Sequence, residues 1–320
     1  MNEPAWTPVV LLAGYCIFVL LASLAGGWIP MVVRLTHTRL QVATSVVAGL
    51  MLGVGVLHLM PHAFHEMGSI DRVAGWMLGG FLVMFFLQRF FHFHHHDVPD
   101  EDPEGCDGGH AACGHGHSHG KGGAAVHHDH TLAGKSASHL SWWGAALGLT
   151  LHSLIDGVAL GASVAVESEH GVGLAGVGTF LVIVLHKPFD AMVIGTLMKA
   201  GGWSRFSRQV VNGVFALAIP VGVMSFHLGA AQLAGTAVGH LFLGSALAFA
   251  GGAFLCIAAS DLLPELQFHS HDRVRLSLAM AAGIFLAVVI GRFESSGHDD
   301  AGHVGEHDHD HGGTELPLVE

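Results

Sequence analysis

Apolar runs of about 20 residues, the length a helix needs to cross a bilayer core, recur along the whole chain. They fall at 8–33, 41–65, 73–92, 141–166, 172–199, 208–231, 237–263 and 274–293. Short polar seams separate them, clearly so from Arg34 to Arg39 and from Gly201 to Ser207, and weakly near 235–239. The pattern predicts an all-α polytopic membrane protein with eight transmembrane helices. Two longer polar stretches punctuate it. The expected organisation is therefore spans 1–3 within 1–92, a polar loop at 93–140, spans 4–8 within 141–293 and a polar tail at 294–320.

Composition agrees with the pattern. The chain is 51% hydrophobic and 12% charged, with a mean hydropathy of +0.53, whereas soluble domains carry about 25% charged residues. The 45 glycines suit close packing of helices in lipid. The net charge of −12 comes mostly from the two polar stretches. Lys and Arg set an orientation, because they accumulate on the cytosolic side. With both termini outside, Arg34, Arg39, Arg89, Lys121, Lys135, Lys199, Arg205, Arg208, Arg273 and Arg275 lie inside, against Arg72 and Arg292 outside. The start of the chain lacks a basic region and carries Glu3, so no cleavable signal peptide is expected. The absence of an Asn-x-Ser/Thr sequon and the wealth of Gly, Ala and Val favour a bacterial inner membrane.

Histidine changes the picture most. There are 28 in the chain. The inside loop holds His92, His94, His95, His96, His110, His115, His117, His119, His127, His128, His130 and His139, with Cys106 and Cys113. Asp, Glu and Gly fill the gaps, so the segment is expected to be disordered and to bind metal loosely at several places. The tail repeats the theme with His298, His303, His307, His309 and His311. Cys16 and Cys256 lie in apolar runs, and the four cysteines do not form a disulfide framework.

Spans 4 and 5 carry the same arrangement, His-x-x-x-Asp: His152 with Asp156, and His186 with Asp190. Residues four apart share one helix face, so each pair offers an imidazole and a carboxylate to one point. A single such pair is as readily a buried polar bridge. Two of identical spacing on consecutive spans, in a chain with two His-rich segments, point to a metal site. Two imidazoles and two carboxylates suit Zn²⁺ and tolerate Fe²⁺, Mn²⁺, Co²⁺ or Cd²⁺. Pro188 lies between His186 and Asp190 and leaves the carbonyl of Val184 without its helical partner. Lys187 is a lone cation beside a cation site; it is expected to take the space and charge of a second ion, leaving room for one. Spans 2 and 7 show a second likeness: Leu57-His58-Leu59-Met60-Pro61-His62 matches Ser260-Asp261-Leu262-Leu263-Pro264-Glu265. Pro-interrupted helices at corresponding depths point to a repeat, and His58, His62, Asp261 and Glu265 become candidates for the ion path. A carboxylate in lipid costs about 2.5–3.5 kcal/mol and needs a reason.

Taken together, the eight spans, the His-rich loop between spans 3 and 4, the stretch His152-Ser153-Leu154-Ile155-Asp156-Gly157 and the stretch His186-Lys187-Pro188-Phe189-Asp190-Ala191 make the chain resemble the ZIP (ZRT/IRT-like) metal transporters. The resemblance implies an inverted repeat of spans 1–3 and 6–8 around spans 4–5, and a transport site between spans 4 and 5. It implies import toward the cytosol by movement of a central bundle against spans 2 and 7. In many members the site holds two ions. The ligands of the first match His152, Asp156, His186 and Asp190. The second uses an Asn after the span-4 His, an acid after the first span-5 ligand and an acid before a Pro in span 6. Here those positions read Ser153, Lys187 and Ile219, so all three depart, and the chain is similar to branches whose fifth-span motif begins His-Lys. The family's proline also usually falls one residue after Pro188.

No phosphate-binding loop of the Gly-x-x-x-x-Gly-Lys type occurs, so transport is expected to run on ion gradients. The transported Zn²⁺ or similar divalent cation is the cofactor-like ligand expected, with no organic cofactor. The expected partners are the lipid bilayer and divalent metal ions, with a homodimer open and no nucleic acid. Three rival classes remain at this stage, one of them a receptor or metal sensor sharing the transporter scaffold. A cation-diffusion-facilitator exporter needs six spans and His/Asp pairs on non-adjacent ones. A membrane metalloenzyme of the zinc-protease kind needs His-Glu-x-x-His, which is absent; His62-Ala63-Phe64-His65-Glu66 is the nearest approach.

Overall fold

The computed structural model describes residues 7–32, 37–91, 132–169, 173–231, 233, 236–262 and 273–299. The His-rich residues from 92 to 131, Glu265, the side chain of Asp261 and the tail beyond 299 lie outside the described residues. Among the described residues there is no strand, and eight helical passages are long and apolar enough to cross a membrane. They run Pro8–Trp28, Thr38–Met67, Ile70–Phe90, Trp142–Glu169, Val177–Ala200, Arg205–Ala230, Ala237–Ser260 and Arg273–Arg292, numbered here as spans 1 to 8.

Most spans are single helices: α1 (Thr7–Val32), α4 (Ile70–Phe91), α5 (Leu132–Glu169), α6 (Val177–Ala200) and α10 (Arg273–Asp299). Helix α5 begins inside the stretch assigned from sequence to the loop, because 132–141 contains no proline to stop it. Three spans are broken, each near a proline or its counterpart. Span 2 runs through α2 (His37–Val54), a π turn (Gly55–Leu59) and α3 (Met60–Met67). Pro61 has no N–H, and its ring presses on the carbonyl of Leu57. The wider turn makes room, with the Met60 N–H reaching back five residues to the Gly55 carbonyl. Span 7, α9 (Ala237–Ile257), ends in a second π turn at Ala258–Leu262. Span 6 divides into α7 (Arg205–Ala216) and α8 (Ala218–Ala231) at Leu217, just ahead of Pro220.

Pairing follows glycine. A Cβ at Gly49 would strike the carbonyl of Met280, and one at Gly283 the carbonyl of Val46, so spans 2 and 8 touch backbone to backbone. Spans 3 and 7 meet in the same way through Gly80 with Phe249 and Gly252 with Met77. One register shift maps Gly49 onto Gly252, Gly80 onto Gly283, Val46 onto Phe249 and Met77 onto Met280. The same shift carries the first π turn onto the second and Leu57 onto Ser260, which is the alignment read from sequence. Spans five apart in an alternating bundle run in opposite directions, so the repeat is inverted. Spans 4 and 6, and spans 1 and 5, form the matching inner pairs. Gly157 and Gly222 let spans 4 and 6 cross closely, and Gly26 brings span 1 onto the backbone of Pro188. Spans 1, 4, 5 and 6 thus make one group and spans 2, 3, 7 and 8 another.

Candidate metal site

The two His/Asp pairs meet. His152 and Asp156 on α5 face His186 and Asp190 on α6. The Asp156 Oδ2 atom lies 3.3 Å from His152 Nε2 and 3.2 Å from His186 Nε2. Asp190 Oδ2 lies 3.8 Å from both nitrogens. The ligand atoms of His152, Asp156 and His186 all fall within 4.8 Å of one another, and Asp190 closes the group from the side. Four ligands held tetrahedrally at zinc–ligand distances would stand about 3.4 Å apart, so this spacing needs little adjustment.

The side chains are buried: Asp156 is 0% exposed, His152 2% and His186 5%. Asp190, 15% exposed at its side chain, is the open edge. His186 Nδ1 donates to the Val182 carbonyl at 2.8 Å, which turns Nε2 toward the carboxylates. In the neutral ring that nitrogen offers a lone pair, as a metal ligand must. His152 Nδ1, Asp156 Oδ1 and Asp190 Oδ2 are buried and make no hydrogen bond. Such orphaned atoms are costly in a finished polar network; of the three, Asp190 Oδ2 is the one aimed at the two imidazole Nε2 atoms, where a cation would satisfy it.

Lys187 is fully buried beside this group. Its Nζ donates to Ser153 Oγ, lies 3.6 Å from Asp190 Oδ2 and sits 4.1 Å from the centre of the Phe215 ring. The Ser153 hydroxyl in turn donates a hydrogen bond to the Leu149 carbonyl. The ammonium is therefore anchored on three sides, by a hydroxyl, a carboxylate and an aromatic face. Removing one member of such a buried set typically costs about 3–5 kcal/mol. Pro188 stays within a continuous α6, and its backbone packs on Gly26 of span 1.

A second group lies nearer the Glu169 end of span 4. His58, in the π turn of span 2, points its Nε2 at Glu167 Oε1, 2.8 Å away. The same oxygen accepts from Ser163 Oγ at 2.7 Å, and Oε2 accepts from the Gly176 N–H at 2.6 Å. Thr179 Oγ1 donates to Ser163 at 3.0 Å. The His62 ring lies 4.7 Å from that of His58. Of the ion-path residues expected from sequence, His58 and His62 come together here. Asp261 has only its backbone described, in the second π turn, and Glu265 lies outside the described residues.

Glu167, Ser163 and Thr179 were not singled out in the sequence. A signal existed. Ser163 and Glu167 stand three turns beyond His152 and Asp156, on the same face of α5. Gly26 and Phe215 carried none, because their roles depend on which spans adjoin.

The model of the ZIP zinc transporter family matches residues 10–291. Zinc transporter ZIP9-B of Xenopus laevis is 28% identical over 296 residues, covering 80% of this chain and 85% of its own. Zinc transporter ZIP9 of Macaca fascicularis is 35% identical over 162 residues, 48% of this chain and 66% of its own. Protein zntC of Dictyostelium discoideum is 29% identical over 150 residues, 46% of this chain and 35% of its own.

Proposed function

The chain belongs to the ZIP zinc transporter family, and from that premise we propose that His152, Asp156, His186 and Asp190 form a single-ion transport site. Members of the family are transporters and not enzymes, so the chain is an integral membrane protein that carries divalent metal, with zinc as substrate. Two of the rival classes drawn from sequence, the six-span exporter and the metalloprotease, fall with the family match.

One observation carries the assignment. Four metal-type ligand atoms from two adjacent helices converge at a buried point, and Asp190 Oδ2 among them makes no hydrogen bond. Lys187 supports one ion: two ionised carboxylates and one ammonium leave a single negative charge, which one divalent ion reverses. A second ion would meet the ammonium. Ser153 and Pro188 tune the site, the first by holding Lys187 and the second by seating span 5 on Gly26.

The distribution of Lys and Arg supports both termini outside and uptake toward the cytosol. In that orientation His58, His62 and Glu167 stand on the outer side of the site and form the approach to it. The His-rich loop then lies in the cytosol, where it collects released metal. The test is anomalous diffraction from crystals soaked in zinc. One strong peak between spans 4 and 5 is expected; two fully occupied peaks there would overturn the single-ion reading.

A further inference from the structure

Where α6 ends and α7 begins, a cavity of about 310 Å³ opens between spans 1, 5 and 6. Its wall includes Lys199, Arg205 and Arg208, with Gln209 and Asn212 behind them, and no Asp or Glu. None of the three cations has a carboxylate partner among the described residues. The amides cannot solvate them freely, because they are committed to span 1. Asn212 Nδ2 donates to the Ser23 carbonyl at 3.2 Å and Gln209 Nε2 to the Gly27 carbonyl at 3.5 Å, while Gln209 Oε1 accepts from the Trp28 indole at 3.0 Å. Gly27 makes this approach possible, since a Cβ there would run into Asn212.

Two buried atoms of this wall make no hydrogen bond: the donor Arg208 Nε and the acceptor Asn212 Oδ1. Asn212 is only 3% exposed. Three unpaired cations, an orphaned donor and an orphaned acceptor together complement a group with anionic oxygens and a hydroxyl. We propose that this cavity binds a phosphate-bearing anion. An anionic lipid headgroup and free inorganic phosphate share that chemistry. Position favours the headgroup, because Lys199 stands in the last turn of one span and Arg205 in the first turn of the next, at the level where headgroups lie. Basic pockets between spans at a membrane face are suited to such lipids.

The test measures binding and not transport, so it stands apart from the metal-site reading. Delipidated full-length protein in detergent is titrated with phosphatidylglycerol, phosphatidylcholine or inorganic phosphate, and followed by native mass spectrometry and thermal unfolding. Phosphatidylglycerol is expected to bind and stabilise the wild type beyond phosphatidylcholine. The Lys199→Gln/Arg208→Gln variant is expected to bind it about thirtyfold more weakly, the loss for two cation contacts at a membrane surface. Arg205→Gln, at an exposed position, gives a smaller loss and guards against a double variant that fails to fold. If inorganic phosphate alone stabilises the wild type, and not the variants, the cavity serves a free anion. Equal binding of both anions by wild type and variants, or an equal loss in the distant Arg273→Gln, would overturn the proposal, as would no effect of either anion on the wild type.

Discussion

Two buried clusters in this protein are built from the same residue types, yet they differ in how far they are satisfied. At the His152/Asp156/His186/Asp190 group, three polar atoms make no hydrogen bond. At the His58/Glu167 group, both carboxylate oxygens are engaged, by an imidazole, a hydroxyl and a backbone N–H. The first lies within the group of spans 1, 4, 5 and 6; the second ties span 4 to span 2, across the two groups. On the proposed function the first group is completed by an ion. A saturated carboxylate holds helices in register, and must be released if the groups are to move past each other.

Single substitutions separate the two clusters most sharply. Asp156→Ala or His186→Ala is expected to abolish zinc uptake by proteoliposomes, read with an encapsulated zinc dye, while the purified protein stays monodisperse. Normal uptake by either variant would place the transport site elsewhere. Gly26→Val comes next. Its side chain would displace Pro188, and with it His186 and Asp190. Uptake should fall severely, and zinc affinity measured by calorimetry should fall with it, although no ligand has been changed.

Glu167→Ala tests the other cluster. Three donors lose their acceptor, at about 1–3 kcal/mol for a buried group left unpaired. The melting temperature in detergent should drop, and uptake should slow, but one zinc should still bind. Glu167→Gln keeps an acceptor for the Gly176 N–H and should cost less. If Glu167→Ala instead removes zinc binding, the two clusters are one site and the contrast fails. Deleting much of 100–130 is expected to have the smallest effect: a changed rate or zinc dependence, with uptake retained.

Much of this was legible in the chain. The eight spans are read from run length alone, and the strongest repeat signal, Leu57–His62 against Ser260–Glu265, coincides with the register that the glycine contacts obey. The prolines in those two stretches predict interrupted helices, and each stretch begins within a π turn, at Gly55–Leu59 and Ala258–Leu262. What escaped was of another kind. Glu167 falls one residue beyond the predicted span 141–166, where a carboxylate excites no suspicion. The division of span 6 at Leu217 and the early start of α5 at Leu132 lie at element ends, where propensities are nearly balanced.

The sequence by itself determined which residues share a face. Helical periodicity is local, and four-residue spacing puts His152 over Asp156 and His186 over Asp190 in any context. Tertiary structure alone decided that those two faces turn toward each other, that the Lys187 ammonium comes to rest on Ser153 and Phe215, and that Glu167 is saturated while Asp156 is not. The rotation of each helix about its own axis depends on where its glycines meet a neighbour's backbone, and those contacts join residues as far apart as Gly26 and Pro188 or Gly49 and Met280. No local pattern carries that information, because each such contact is a property of two distant segments at once.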